Sequence, residues 1–245
     1  NDARTVRDAL LSENGVLAEL AGVTSDMKIL DAGCGVGGSA IWLVKNYGVH
    51  TIGITLSKKQ LETAKYFAKK QGVDNKTEFY LKDFMNTGFP DNSFDVVWAI
   101  ESVCHAVDKK CFLEEAYRVL KKGGRIVVAD GFLKRKLDPS EEIIYKNFLE
   151  GVVLPGLASV DKFREEMGEV WFRNVRFLDK TEKIKPSSKI MYKRGRLFYP
   201  IFKFLYWLHI IPDIDILVRN GQSGVAQWEL IKSGLWGYGV FYGEK

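Results

Sequence analysis

Two short stretches carry residues whose types and spacing suit chemistry. Asp31-Ala32-Gly33-Cys34-Gly35-Val36-Gly37-Gly38 places four glycines in six positions. Glycine tolerates positive φ and puts no Cβ between the backbone and an approaching ligand. The pattern is GxGxGG, whereas dinucleotide sites read GxGxxG and carry an acid about 20 positions further on. The corresponding stretch here, Gly53-Ile54-Thr55-Leu56-Ser57, has no acid. Asp31 instead stands directly before the glycines, where a carboxylate repels a pyrophosphate and attracts a cation. The second stretch is Ile100-Glu101-Ser102-Val103-Cys104-His105-Ala106. If it turns helical, Glu101 and His105 at i and i+4 share a face and converge on one substrate. Histidine titrates near neutrality, and a buried glutamate with a raised pKa can also move a proton. The plainer alternative is that His105 caps a loop and Glu101 pairs with a lysine. Ser102 has no nucleophile-elbow pattern and no His/Asp arrangement around it, so a hydrolase is excluded.

These residues need a scaffold that gathers strand ends. Short apolar runs at 27–32, 49–56, 77–81, 94–100 and 125–130 read as strands. Helical spacing separates them at 38–47, 58–71 and 109–120, the last ending in Lys121-Lys122-Gly123-Gly124, a basic last turn with a glycine stop. This βαβαβ rhythm predicts a parallel sheet covered on both faces, with ligands at the carboxyl ends of its strands. Further on, 140–149 and 160–167 read as helices and 175–178 as a strand. A last helix at 223–231 precedes a strand at 237–242. The fold expected is a Rossmann-like α/β domain: a seven-stranded, mostly parallel sheet with helices on both faces. It is read as one domain over 1–245, with 183–233 as a lid and substrate-binding insertion before the last strand.

S-adenosylmethionine, which carries an ammonium and a sulfonium but no phosphate, suits the glycine loop behind Asp31. The succession LDAGCGVGG, GITLS, DNSFDVVWAIES and RVLKKGGRIVVAD resembles the class I S-adenosylmethionine-dependent methyltransferases. Residues 100–106 are similar to the segment after the fourth strand in sterol side-chain methyltransferases. GITLS is similar to the tocopherol methyltransferases and cyclopropane fatty acid synthases. The resemblance covers residues 25–132. It implies that Asp31, Gly33 and Gly35 hold the methionine end of the cofactor, and that Thr55, Leu56 and Gln60 meet the ribose and adenine. Asp83 and Phe84 contact the adenine in this reading, with Ile100 beside them, and Glu101 and His105 are catalytic. Phe84 as plain core and Asp83 as a helix cap stay open. The relatives usually carry a longer N-terminal segment that helps close the site, so that segment is either missing here or replaced by another means of closure.

Bulk composition bounds the rest. Of 245 residues, 46% are hydrophobic and 27% charged, with 36 Lys+Arg against 31 Asp+Glu for a net charge of +5. That excess is too small and dispersed to argue for nucleic acid. Cys34, Cys104 and Cys111 lack the spacing of a zinc site or a disulfide framework and suit a reducing, cytoplasmic or organellar setting. Fifteen of the 31 aromatic residues lie from Trp171 onward. Seven Lys/Arg and one acid, Glu182, occupy 180–196, directly before an aromatic apolar run from Leu197 to Pro212. This tail reads in three ways: a basic loop with a docked helix, a lid over a large apolar pocket, or a peripheral membrane contact through 180–212. The basic run could equally hold a diphosphate. His50 and His209 read as structural. The function expected is methyl transfer from S-adenosylmethionine to a hydrophobic small molecule, with C-methylation of an isoprenoid or prenylated lipid first and N-methylation of an amine or alkaloid second. A cofactor- or lipid-binding module without turnover and a nicotinamide dehydrogenase rank behind these.

Overall fold

The computed structural model describes residues 6–207 and 215–245. His209 and the end of the apolar run to Pro212 lie outside the described residues. The chain divides into two compact units. The first takes the described residues of Asn1–Asp130 with Phe163–Phe177 and Val240–Lys245, and the second those of Gly131–Lys162 with Leu178–Gly239.

The sheet begins with β1 (Lys28–Ala32), β2 (His50–Thr55), β3 (Thr77–Leu81) and β4 (Phe94–Ile100). It is completed by β5 (Leu120–Leu133), β6 (Arg173–Asp179) and β7 (Trp236–Glu244). Their order is β3-β2-β1-β4-β5-β7-β6. The pairs among β1 to β5 are parallel. Lys245 N–H donates to Gly124 O at 2.9 Å and Gly123 N–H to Lys245 O at 3.0 Å, which sets β7 antiparallel to β5. β1 and β4, the central strands, are apolar almost throughout and buried on both faces, as parallel strands under helical layers must be. The strand order reverses direction between β1 and β4, the point where open α/β sheets bind ligands.

Caps fix where each strand hands over to a helix. α1 (Val6–Ala21) precedes the sheet, and α2 (Gly38–Tyr47) ends on Gly48 at φ 71°, whose N–H returns to Val44 O. Ser57 accepts the Gln60 N–H to open α3 (Lys58–Lys70). Asp108 accepts the Lys110 and Cys111 N–H groups to open α4 (Lys109–Val119). Two expectations are corrected. The helix α1 was not anticipated; Leu17, Ala18 and Ala21 are its buried face, and Gly15 masks that spacing. The helix expected over 109–120 does stop there, at Val119, but Lys121-Lys122-Gly123-Gly124 is strand and not its last turn. Leu120 pairs with Phe94 and opens β5, and a register shift between Phe94 and Val96 absorbs the glycines. The positive φ of Gly123, 75°, belongs to that bulge.

In the first unit α6 (Val160–Glu169) adds Phe163, whose ring lies 4.9 Å from that of Phe241 on β7. In the second unit, α5 (Glu142–Val152), α7 (Thr181–Trp207) and α8 (Asp215–Lys232) pack together. Phe148, Leu230, Ile231, Leu235 and Trp236 form the buried cluster there. Gly151 lets α5 approach Ser223 of α8, where a Cβ would collide with that side chain. The basic stretch, for which a loop was one of three readings, is the first half of α7, which continues through Pro186 and Pro200.

Candidate active site

The carboxyl ends of the first five strands stand in register, with Ala32 opposite Ile54, Thr55 opposite Leu81, and Ile100 opposite Ala129. The sheet thereby brings Asp31, Thr55, Asp83 and Glu101 to one edge. Asp31, the next-to-last residue of β1, is 3% exposed. One carboxylate oxygen takes a hydrogen bond from the Ala40 backbone, while Oδ2 has no partner. Burial pushes its pKa from 3.8 up to about 7, only partly offset by that bond. A buried carboxylate with an orphaned oxygen is a costly arrangement for a folded chain alone. The same charge, with burial as the larger cause, also raises the pKa of Cys34.

The four glycines do different work. Gly33, Gly35 and Gly37 have φ of 95°, 52° and 81°. A Cβ on Gly33 would collide with Ser102, and one on Gly37 would lie 2.8 Å from Phe79. A Cβ on Gly35 would meet nothing within 4 Å. The Gly33 and Cys34 N–H groups are committed to Ile54 O at 3.0 and 2.9 Å. Gly35 is thus the open position of the loop, and α2 behind it starts at Gly37 with no side-chain cap. The orphaned Asp31 oxygen and the open cradle at Gly35 fit the ammonium and carboxylate of an amino-acid moiety.

Around this loop the other expected residues divide. Thr55 is buried, donates its hydroxyl hydrogen to Gln60 Oε1 at 2.7 Å and accepts the Ser57 N–H at 3.2 Å. Leu56 is 69% exposed at the end of β2, an apolar surface without cover. Asp83 is half-buried and accepts the Met85 N–H at 2.8 Å. That is a turn closed two residues on, with no helix following, so the helix-cap alternative fails. The Phe84 ring meets Phe112 of α4 edge-on at 5.3 Å and stays half-buried. Its packing against the core therefore coexists with an accessible side. Ile100 is half-buried at the end of β4.

Glu101 and His105 follow, and the helix expected after Glu101 does not form. Glu101 takes φ 48° and is exposed, with its N–H bonded to Ala129 O at 2.8 Å. Only Val103–His105 coil, as a single 3-10 turn, so an i, i+4 alignment is not the means by which the two side chains are placed. A non-glycine residue in the left-handed region costs on the order of 1 kcal/mol and clusters at functional sites. His105 is exposed; burial of part of its ring, then the Lys109 ammonium, lowers its pKa from 6.5. Both effects favour the neutral imidazole.

Three positioning residues went unread in the sequence. Ser102 is buried and donates to Ala32 O at 2.7 Å, locking the turn after β4 onto the end of β1. Asp130, buried at the end of β5, accepts the Cys104 N–H at 2.8 Å. Lys109 donates to Ala106 O at 2.6 Å and Cys104 O at 3.3 Å. The one available signal was position: Ser102 and Asp130 lie within three residues of a strand's carboxyl end, whereas Lys109, the first residue of α4, carried no such signal. A cavity of about 250 Å³ within the second unit is lined by Ile144, Asn147, Tyr199, Gln222, Val225 and Glu229. It holds none of the expected site residues and falls below the roughly 300–1,000 Å³ of ligand pockets.

Known proteins share this chain's fold and part of its sequence. Residues 30–128 match the family described as Methyltransferase domain. Over 213 residues the chain is 37% identical to a sterol 24-C-methyltransferase of Kluyveromyces lactis, covering 86% of this chain and 55% of that protein. Over 220 residues it is 33% identical to the chloroplastic tocopherol O-methyltransferase of Arabidopsis thaliana, covering 84% and 59%. The chain therefore spans little more than half the length of these curated relatives, which are named for carbon and for oxygen acceptors. The geranyl diphosphate C-methyltransferase of Streptomyces coelicolor A3(2) superposes with a TM-score of 0.73, covering 95% of this chain and 76% of that one. At 18% identity that likeness establishes the fold alone. With Asp31, the glycine loop and the strand order in place, residues 30–128 carry a methyltransferase domain, and the chain resembles the class I S-adenosylmethionine-dependent methyltransferases of the sterol 24-C- and tocopherol group.

Proposed function

We propose that this chain binds S-adenosylmethionine at the glycine-loop edge and transfers its methyl group to a hydrophobic small molecule, by C-methylation of an isoprenoid or prenylated lipid. One observation carries the reading: a buried Asp31 whose second oxygen has no partner, behind a glycine loop left open at Gly35. Asp31 accepts the ligand's ammonium, and the loop at Gly33 and Gly35 admits its amino-acid end. Thr55 fixes Gln60 for the ribose side, Leu56 offers an apolar face to the adenine, and Asp83, Phe84 and Ile100 complete that pocket.

When bound, the cofactor supplies an electrophilic methyl on a sulfonium whose departure leaves a neutral thioether. The protein's task is then mainly alignment, which can supply several kcal/mol, within the roughly 7–11 kcal/mol attainable from well-oriented groups. A carbon acceptor gains positive charge as the methyl arrives. The Glu101 carboxylate stabilises that charge, and neutral His105 removes the proton that must leave. The acceptor segment in this proposal is the insertion 183–233. Support for an isoprenoid-like acceptor comes from the sterol and tocopherol relatives.

Calorimetry with S-adenosylmethionine and with NAD tests the cofactor, and NAD binding alone would sink the proposal. An acceptor screen with radiolabelled cofactor, spanning sterols, quinols, prenyl diphosphates and amines, tests the substrate class. Label in amines alone would replace the C-methylation reading with N-methylation. Cofactor binding with no labelled product from any class would leave a binding module.

A further inference from the structure

We propose that α7 is a membrane-surface helix that seats the protein on a bilayer rich in anionic lipid. One side of α7 is settled by its packing on α8. Ser188 and Gly195 are buried there, and a Cβ on Gly195 would lie 2.6 Å from Gly221 O. Gly221 lies against Tyr199, and a Cβ on Gly224 would lie 3.5 Å from Met191 O. At 100° per residue, the opposite side of the helix carries Ile190, Leu197, Ile201 and Phe204, at offsets of seven, four and three. These residues are 52%, 64%, 48% and 57% exposed. Leu197, Ile201 and Phe204 follow one another at helical spacing with Ile190 two turns before them, an aligned row along the solvent side of one helix that marks an interaction surface when scattered exposed residues would not.

The chemistry beside the stripe selects its occupant. Lys193 and Arg194 border it and are exposed, with Lys189 further round. None of these three is in an ion pair among the described residues. Glu182, the one acid over 180–196, is taken by Lys185 at 2.5 Å. A protein partner with an apolar surface would not by itself call for cationic residues along both edges of the stripe, whereas an anionic lipid surface complements both features. No helix among the described residues is long and apolar enough to cross a membrane, so the helix lies along the surface.

The test is flotation with vesicles of phosphatidylcholine alone and of equal parts phosphatidylcholine and phosphatidylglycerol. It needs no turnover, so its outcome is independent of the acceptor assignment. Wild type should float with the anionic vesicles and weakly with neutral ones. Leu197→Gln/Ile201→Gln should lower binding at least tenfold at any salt. Lys189→Gln/Lys193→Gln/Arg194→Gln should lower it and abolish its salt dependence. Circular dichroism and melting curves matching wild type establish that both variants fold, and Lys58→Gln/Lys59→Gln on α3 is the charge control. Absence of flotation by wild type overturns the proposal. So does equal loss in the control, or a dimer that Leu197→Gln/Ile201→Gln dissolves while no lipid binds, which would assign the stripe to a second copy of the chain.

Discussion

Titrating cofactor affinity between about pH 5 and pH 7.5 isolates Asp31. Burial holds its carboxyl at about 7 instead of 3.8, and only the ionised form attracts the ligand's ammonium. Affinity should therefore be full at the upper end of the window, where the ligand's amino group is still largely protonated. It should be weaker by about tenfold at pH 6 and about a hundredfold at pH 5, since each pH unit below the pKa costs about 1.4 kcal/mol. Binding at pH 6 should release about 0.9 proton, measurable by calorimetry in buffers of different ionisation enthalpy. The sign for the folded chain without ligand is opposite. The raised pKa makes folding less favourable as pH climbs from about 4 to about 7. The full cost, about 4 kcal/mol at 1.36 kcal/mol per pH unit, is present above that window and absent below it. Asp31→Asn should flatten that pH dependence and raise the ligand-free Tm by several degrees, at roughly 2–4 °C per kcal/mol for a chain of this size. It should also weaken cofactor binding at pH 7.5 by about a hundredfold, as expected when one partner of a buried charge pair is removed. An Asp31→Asn protein that binds as tightly as wild type, with the same pH profile, would refute the reasoning.

Four further outcomes follow from the same geometry. Gly33→Ala should lose about 3 kcal/mol or more of stability in denaturant titration, because Ser102 fills that space, while Gly35→Ala should lose only about 1 kcal/mol yet bind the cofactor poorly. Glu101→Gly relieves the positive φ and should keep or raise the Tm while turnover collapses; retained turnover would remove Glu101 from the mechanism. Lys109→Met withdraws a like charge from His105, so its pKa rises and the acidic limb of the kcat profile moves to higher pH; an unmoved limb would mean that His105 is not the base. Gly195→Val drives a side chain into Gly221 O and should cost about 2 kcal/mol or more, seen as protease cleavage within α7 and α8.

Much of the first unit was legible because its signals are local. The spans 38–47, 77–81 and 94–100 match α2, β3 and β4 to the residue, each bounded by glycine, proline or a polar cap. Asp31 and the glycine loop were legible because their chemistry is written in consecutive residues. What was not legible depends on contacts distant in sequence. α4 stops where the pattern indicates, but Leu120 pairs with Phe94, and Gly123 and Gly124 bond to Lys245, so the run read as a basic last turn is strand. α7 runs through Pro186 and Pro200 because α8 offers it Gly221 and Gly224 to lie against, a partnership no window of sequence contains. The geometry at Glu101 was misjudged for the same reason: its N–H is held by Ala129 on the neighbouring strand, which pins a left-handed residue where continuous helix was expected.

Ser102 ties two segments that perform separate tasks. Its side chain fills the space beside Gly33 and its hydroxyl holds Ala32 O, so the turn bearing Glu101 and His105 cannot shift without moving the loop that receives the ligand. The consequence is kinetic order. In the proposed function, whatever settles the loop after β1 also settles the turn after β4 that carries Glu101 and His105, so the acceptor should meet a competent site only after the first ligand is seated. Initial-rate patterns should be sequential and ordered, with the acceptor second. Replacing Ser102 by alanine should blur that order towards random addition while sparing the affinity of the first ligand.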